Sequence, residues 1–309
     1  MSTEPVVLAE QAWQAERAAH EARVRRWTDP HHARRARGEK HPVLDFLFTY
    51  YSQRPARLAR WSPGLGVVLA GAGAKEFLDR PGFVEVAAGV TLDPGSVSPN
   101  RLDTAEFIGT LLAATARRAP QLGCFGLHEW AMVYRASQEQ VRHRDWPLRL
   151  GAADTDAVLE GLTVRCGHFD AFRFFTPAAV GRNTLTPTRR SQPALEQPGC
   201  LHTNMDLFKW AYKLDPFVPA ELTADCFELA LRIRELDMRA SPYDLRPLGY
   251  EAVPIETPQG RAEYARQQAE FAREAAPLRA TLLAVCADLR ARRAARLVPA
   301  NPGPPVGDY

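Results

Sequence analysis

Three short segments place imidazole and carboxylate side chains where a core-forming sequence would carry apolar ones. They are residues 126–135 with His128 and Glu129, residues 166–175 with His168 and Asp170, and residues 198–206 with His202 and Asp206. Imidazoles and carboxylates are the groups that most often serve as general acids and bases, and they also bind transition metals. These segments therefore contain the candidate functional residues.

The second segment is rich in aromatic residues and follows β-branched ones, which predicts an extended conformation over about 163–175. On a strand, His168, Asp170 and Phe172 would share one face. A carboxylate among aromatic rings has to be paired or functional, because burying it alone costs several kcal/mol. Asp170 is therefore the first candidate catalytic group, and Glu129 and His168 are the other two.

The three imidazoles also suggest an alternative. His128, His168 and His202, together with nearby carboxylates, contain the donor atoms of a zinc or non-haem iron site. Their spacing is long and no H-E-x-x-H motif occurs, so only tertiary folding could bring them together. The leading interpretation predicts no cofactor, and a transition metal is the alternative.

Several common enzyme classes lack their motifs here. The chain contains neither the P-loop pattern nor G-x-G-x-x-G, which disfavours an NTPase or a Rossmann enzyme. G-x-S-x-G is also missing, and no cysteine lies in an activating motif, so nucleophilic catalysis is disfavoured.

The elements that must position these residues are mostly helices. Helical patterns cover residues 9–27 and begin again near Asp103, Thr203, Thr223 and Thr257. The last of these helices is expected to run to about Arg296, with a kink or a restart at Pro277. Two short β segments between residues 61 and 92 predict a hairpin. We therefore expect a mainly α fold with a minor β component (α+β), as a single compact domain without a recognised superfold. The expected divisions are a basic N-terminal helix or arm (1–40), a catalytic domain (41–298) and a disordered tail (299–309).

Composition indicates an ordinary globular protein. The 309 residues are 46% hydrophobic and carry a formal net charge of +3. No apolar run reaches the roughly 18 residues that span a bilayer, so no membrane association is expected. The N-terminus does not resemble a signal peptide, and the five cysteines are widely spaced. A cytoplasmic location is predicted, and the oligomeric state stays open.

Basic residues cluster near the N-terminus. Residues 23–40 contain seven Lys or Arg and two acidic residues. Such a run is either a solvated helix and loop or an arm that contacts phosphates.

Five motifs carry a resemblance to a known family: HPVLDFLFTYYSQRP, GCFGLHEWAMVYR, HFDAFRFFTPAA, EQPGCLHTNMDLFKWAYKL and LDMRASPYDL. Over most of residues 41–275 the chain resembles a bacterial, mainly actinobacterial, family whose members bear the name 3-methyladenine DNA glycosylase. The resemblance implies a DNA-repair hydrolase that releases an alkylated purine, with DNA as its partner. It carries over no catalytic residue.

Base excision would require particular groups. The base has to leave the stack and enter an aromatic pocket, where a cationic purine gains a cation–π interaction. The candidate substrate-binding residues are Tyr50, Tyr51, Trp130, Tyr134, Arg173, His202, Asp206 and Trp210. Two other functions remain open: a metal-dependent enzyme that acts on a small metabolite, and a non-catalytic nucleic-acid-binding protein.

Overall fold

The computed structural model describes residues 5–137, 141 and 145–297. Its helices are α1 (Glu10–Ala36), α2 (Phe46–Tyr50), α3 (Pro55–Leu58), α4 (Pro99–Ala116), α5 (Leu127–Ala131), α6 (Ala152–Gly161), α7 (Phe169–Phe172), α8 (Pro177–Val180), α9 (Gln192–Leu195), α10 (Leu201–Lys213), α11 (Ala220–Arg239) and α12 (Pro258–Leu297). Its strands are β1 (Val6–Leu8), β2 (Val67–Leu69), β3 (Phe83–Val86) and β4 (Gly89–Leu92), and 3₁₀ turns cover Ala72–Asp79, Pro94–Ser96 and Arg246–Leu248. The prediction of a mainly α fold with a minor β component is confirmed. None of the helices in these ranges is long and apolar enough to cross a membrane.

Helix α10 lies at the centre of the molecule. It packs against α11 and α12, and α12 packs against α4. Every residue of α10 from Leu201 to Ala211 is buried, including the polar ones. A helix buried on all sides is normally apolar all round. The polar residues of α10 therefore need partners within the protein, and those partners define the candidate site.

The N-terminal helix belongs to the same body and does not project as an arm. Trp13 and Val24 are fully buried in the main hydrophobic core, and Trp13 Nε1 donates to the carbonyl oxygen of Ala70 at 2.9 Å. Arg23 pairs with Asp225 on α11 at 2.6 Å. Some of the charge of residues 23–40 is therefore used to attach this helix to the fold.

The small sheet has the order β1-β2-β4-β3. β1 pairs parallel with β2, whereas β3 and β4 form an antiparallel hairpin in which Phe83 faces Leu92. Both predicted β segments are present, but the hairpin lies within the second segment, and β2 of the first segment pairs antiparallel with β4. Gly89 begins β4 with a φ of +142°, and a Cβ there would lie 2.0 Å from the carbonyl oxygen of Leu69, so only glycine fits.

The predicted extended segment at 163–175 is wrong. Only Val164 makes a bridge, to Asn183, and the chain then turns into helix α7, which contains Asp170. Asn183 accepts from the Cys166 backbone N–H through Oδ1 and donates to its carbonyl through Nδ2. Phe172 and Phe175 pack against the core at helical spacing, and this explains the aromatic content that suggested a strand.

Some predicted helix boundaries also differ. α4 begins at Pro99 rather than near Asp103, α10 at Leu201, and α11 at Ala220. Pro277 does not interrupt α12, which is continuous from Pro258 to Leu297. Thr257 is confirmed as the residue before α12, where its hydroxyl accepts from the Gly260 N–H at 3.0 Å. The predicted tail 299–309 lies outside the described residues.

Candidate functional site

The three histidines proposed from the sequence meet in the folded protein. His128 lies on α5, His168 immediately before α7, and His202 in the first turn of α10. The His202 ring is edge-on to His128, with centroids 4.4 Å apart, and stacks on His168 at 5.2 Å. All three rings are buried. Three separate stretches of chain therefore meet at a common imidazole cluster.

Helix α11 supplies the groups that face His128. Arg234 is buried and its Nη1 donates to Glu129 Oε1 and to Asp237 Oδ2, each at 2.8 Å. The other oxygen of Asp237, Oδ1, lies 2.9 Å from Nε2 of His128. Burial alone would raise the pKa of Asp237, but His128 and Arg234 hold that pKa well below its usual range. Asp237 is thus a carboxylate held ionised inside the protein.

The contact between His128 and Asp237 is close but misaligned. Both Nε2 of His128 and Oδ1 of Asp237 are buried without a partner in hydrogen-bond geometry. Burial of a polar atom without such a partner is costly. The two atoms form an ion pair at 2.9 Å without good hydrogen-bond alignment, and both are of the types that coordinate a metal ion.

A second histidine–aspartate–arginine group elsewhere in the fold provides a contrast. His31 Nδ1 and Asp45 Oδ1 are 2.8 Å apart and form a true hydrogen bond, and Arg34 bonds both oxygens of the same carboxylate. The two groups have the same chemical composition. The absence of hydrogen-bond alignment distinguishes the His128–Asp237 pair from this second group.

His202 is suited to act as a ligand. Burial, with the nearby His128 ring as the next cause, lowers the pKa of His202 well below its ordinary value. The neutral imidazole is the form that coordinates metals. The ligand atoms of His128, His202 and Asp237 all lie within 4.8 Å of one another. The three residues form a group of two imidazoles and one carboxylate.

On the other side of His202, Asp206 organises a polar network. The Tyr51 hydroxyl donates to Asp206 Oδ1 at 2.8 Å, and His168 Nε2 lies 3.2 Å from Oδ2. Lys209, one turn along α10, bonds the same Oδ2 and also reaches Asp170 Oδ2 at 3.1 Å. Burial opposes ionisation of Asp206, but Lys209 and His168 lower its pKa well below the usual range.

His168, Glu196 and Asp206 form a second group that could hold a cation. Here both oxygens of Asp206 already have protein partners, and Lys209 supplies the positive charge. Glu196 accepts from Gln192 Nε2 at 2.6 Å, and burial raises its pKa, which favours the neutral acid. The two carboxyl groups and His168 Nε2 of this second group therefore have partners within the protein, whereas His128 Nε2 and Asp237 Oδ1 of the first group have none in hydrogen-bond geometry.

The histidine cluster forms part of the wall of a cavity of about 530 Å³. Buried residues such as Leu127, Val164 and Tyr264 line it together with the three imidazoles. Exposed residues such as Gln121, Thr163 and Arg165 lie at its mouth. The volume is within the range of pockets that bind small molecules.

Three of the five cysteines, Cys124, Cys166 and Cys200, also line this cavity. Burial raises the pKa of all three thiols, that of Cys166 to about 12. They are therefore protonated near neutral pH, and the nucleophilic thiolate is scarce.

The predicted catalytic residues occupy different parts of this arrangement. His168 lines the cavity, and its Nδ1 is buried without a hydrogen-bond partner. Glu129 pairs with Arg234, and Asp170 pairs with Lys209 and Arg173. Glu129 and Asp170 border a separate void of about 10 Å³ that His202 and Tyr50 also line. That void has room for about one water molecule, and not for a nucleobase.

The predicted aromatic residues do not form one pocket. Trp130 Nε1 donates to the Ala240 carbonyl at 2.9 Å, and the Tyr134 hydroxyl donates to Glu160 at 2.6 Å. Tyr50 stacks on Phe46, and Trp210 packs beside the Lys209 ammonium. Of the predicted substrate-binding residues, only His202 lines the 530 Å³ cavity.

Sequence reasoning missed Asp237, Arg234 and Glu196. Arg234 and Asp237 lie three residues apart in a long helix, where such a pair usually marks a solvent-exposed ion pair. The available signal was the position of Asp237 in LALRIRELDMRA, between Leu236 and Met238.

Comparison with models of protein families, with curated proteins and with solved structures finds no match to this chain.

Proposed function

We propose that this protein is a metal-dependent enzyme that acts on a small molecule bound in the 530 Å³ cavity, with His128, His202 and Asp237 as the metal ligands. The observation that carries this proposal is the convergence of these three buried side chains. Two of their ligand atoms, His128 Nε2 and Asp237 Oδ1, have no partner in hydrogen-bond geometry. A divalent cation between them would satisfy both atoms.

The charges nearby are compatible with a cation. Arg234 supplies one positive charge to two buried carboxylates, Glu129 and Asp237. Burial alone would lower the pKa of His128, but Asp237 raises it above its ordinary value, so a cation bound here would take the place of the proton that His128 holds beside Asp237. Two imidazoles and one carboxylate suit zinc or non-haem Fe(II) and leave coordination positions open. A metal bound there would act as a Lewis acid or lower the pKa of a water molecule.

His168 is the residue placed to move a proton. Asp206 holds its ring through Nε2, and Tyr51 and Lys209 in turn fix Asp206. This leaves Nδ1 as the ring nitrogen available to a substrate in the cavity, which His168 lines. A carboxylate that orients an imidazole is a recurrent arrangement in general acid–base catalysis. Glu129 and Asp170 act as positioning residues, because their contacts are with Arg234 and Lys209.

The proposal is tested by metal analysis of the full-length protein after incubation with Zn²⁺ or anaerobic Fe²⁺ and removal of loose ions. The wild type should retain close to one metal per chain. His202→Gln should lose most of it, since this change removes a ligand without breaking an ion pair. His31→Gln is the matched control, because it alters the satisfied histidine–aspartate group and should leave the metal in place. A wild type that retains no metal, or a His202→Gln variant that retains it fully, contradicts the proposal.

One observation favours a second candidate function, the release of an alkylated purine from DNA that the resemblance implies. A separate groove of about 850 Å³ is lined by Arg35, Lys40 and Arg54, with Phe46 and Trp146 beside them. Three acidic residues also line it, Glu39, Asp45 and Asp145, of which Asp45 is bound by Arg34. Basic and aromatic side chains in one groove are the combination that binds nucleic-acid strands. We therefore keep 3-methyladenine DNA glycosylase as the second proposal, with DNA held at this groove.

This second proposal is tested by chromatography of free bases released from a methylated DNA duplex. A glycosylase should release 3-methyladenine, and the double variant Arg35→Gln, Arg54→Gln should bind the duplex more weakly with a shallower salt dependence. Binding with that salt dependence but without base release would leave a non-catalytic nucleic-acid-binding protein. Absence of both binding and release would rule out the DNA functions.

A further inference from the structure

We infer that the small molecule taken by the 530 Å³ cavity carries an anionic oxygen group, a carboxylate or a phosphate, which Arg165 and Arg118 bind at the cavity mouth. This inference rests on the proposed function and adds the substrate class. Both arginines line the same cavity as His128 and His202. A ligand bound there would have its charged end at the arginines and its other end near the imidazoles.

The first observation is the absence of a competing carboxylate. Within the described ranges, neither Arg165 nor Arg118 forms a salt bridge, whereas the buried arginine of this site, Arg234, binds two carboxylates. Glu196 is the acidic residue in the cavity wall, and Gln192 and His168 lie beside its carboxyl group. Neither guanidinium is therefore paired with a carboxylate of the described residues.

The second observation is that the backbone holds both arginines in place. Arg165 lies between Val164, which bridges to Asn183, and Cys166, whose N–H and carbonyl both bond the Asn183 side chain. Arg118 follows α4, and its Nη1 donates to the backbone carbonyl of Glu196 at 2.8 Å. The Arg165 backbone and the Arg118 guanidinium are therefore held in place, and Arg118 keeps further N–H donors for a ligand.

The third observation is the match of chemistry. A guanidinium presents a planar fork of N–H donors that fits the oxygens of a carboxylate or phosphate. The rest of the cavity wall is largely apolar, for example at Leu127 and Leu195, or carries neutral thiols such as that of Cys166. A compact apolar body with one anionic end therefore complements this cavity better than a neutral or cationic molecule.

The test uses matched pairs of acidic and neutral probes with the metal-loaded, full-length protein. Benzoate is compared with benzamide, and phenyl phosphate with phenol, by ligand-observed NMR titration. At least one acid should bind about tenfold more tightly than its neutral partner, since a hydrogen bond to a charged group contributes at this level. The benzoate and phenyl phosphate arms show which oxygen group the arginines prefer.

Arg165→Gln should weaken binding of the preferred acid about tenfold and leave its neutral partner unchanged. Arg117→Gln is the control, because it removes the same charge one residue from Arg118 at a position that does not line the cavity. Equal affinity for acid and neutral probe, no binding of either acid, or an acid preference that survives both Arg165→Gln and Arg118→Gln would overturn the inference. Metal content is measured separately on the same protein. A protein that retains metal but shows no acid preference overturns this inference alone, whereas a protein that retains no metal overturns the proposed function.

Discussion

Replacing Arg234 with methionine should reveal how strongly the buried charges depend on one guanidinium. Arg234 is 1% exposed and contacts Glu129 and Asp237 at 2.8 Å each. Removing one partner of a buried ion pair typically costs about 3–5 kcal/mol, because the remaining charge is left without compensation. Methionine retains much of the side-chain volume that lies over the Phe46 ring. We therefore expect a loss of about 3–5 kcal/mol that arises mainly from charge.

A matched control lies two residues away on the same helix. Arg232 forms a two-bond pair with Glu274, and the two side chains are 50% and 44% exposed. Exposed pairs contribute about 0–1 kcal/mol, so Arg232→Met should destabilise the protein by less than about 1 kcal/mol. The difference between the two variants isolates the effect of burial.

Urea denaturation at pH 7, followed by tryptophan fluorescence and by circular dichroism, measures both variants against the wild type. Coincident transitions from the two signals would justify a single unfolding free energy. If Arg234→Met and Arg232→Met cost the same, the buried Asp237 carboxylate does not depend on the Arg234 charge. The charge argument for the metal site would then be refuted as well.

Two further predictions concern the other groups of the site. The folded-state pKa of Asp206 is lowered, so its charge stabilises the protein above the unfolded value of about 4, and this contribution is lost as the pH falls below it. The difference in unfolding free energy between wild type and Asp206→Asn should therefore shrink between about pH 5 and pH 2, and a constant difference would contradict the assignment. The Cys166 thiol, with its pKa raised to about 12, should react with iodoacetamide at pH 8 far more slowly in the folded than in the urea-unfolded protein, as measured by peptide mass spectrometry; equal rates would contradict the raised pKa.

The sequence was sufficient to predict the fold class because its helices are long and have clear boundaries. The Thr257–Pro258 pair correctly marked the start of α12, and the glycine-flanked segments marked the strands β2, β3 and β4 but not which of them form the hairpin. Local patterns failed at residues 163–175. There the aromatic residues that suggest a strand pack on the core from helix α7 and the turn that follows it.

The candidate site was predictable only in part. His128, His168 and His202 stood out because each interrupts an apolar segment, and the structure brings their rings together. Which carboxylate joins them depends on how α11 packs against α10, and no local spacing encodes that packing. Asp237 was missed for this reason, and Asp170, the most conspicuous carboxylate in the sequence, pairs with Lys209 instead.

X-ray absorption at the metal edge of the loaded protein tests the central claim most directly. The proposed ligands predict nitrogen and oxygen neighbours at about 2.0–2.2 Å, with the outer-shell scattering of two imidazoles and no sulfur at about 2.3 Å. His202→Gln should lower or abolish the imidazole signal. A sulfur shell would instead place the metal at the cavity thiols Cys124, Cys166 or Cys200 and contradict the assignment to His128, His202 and Asp237.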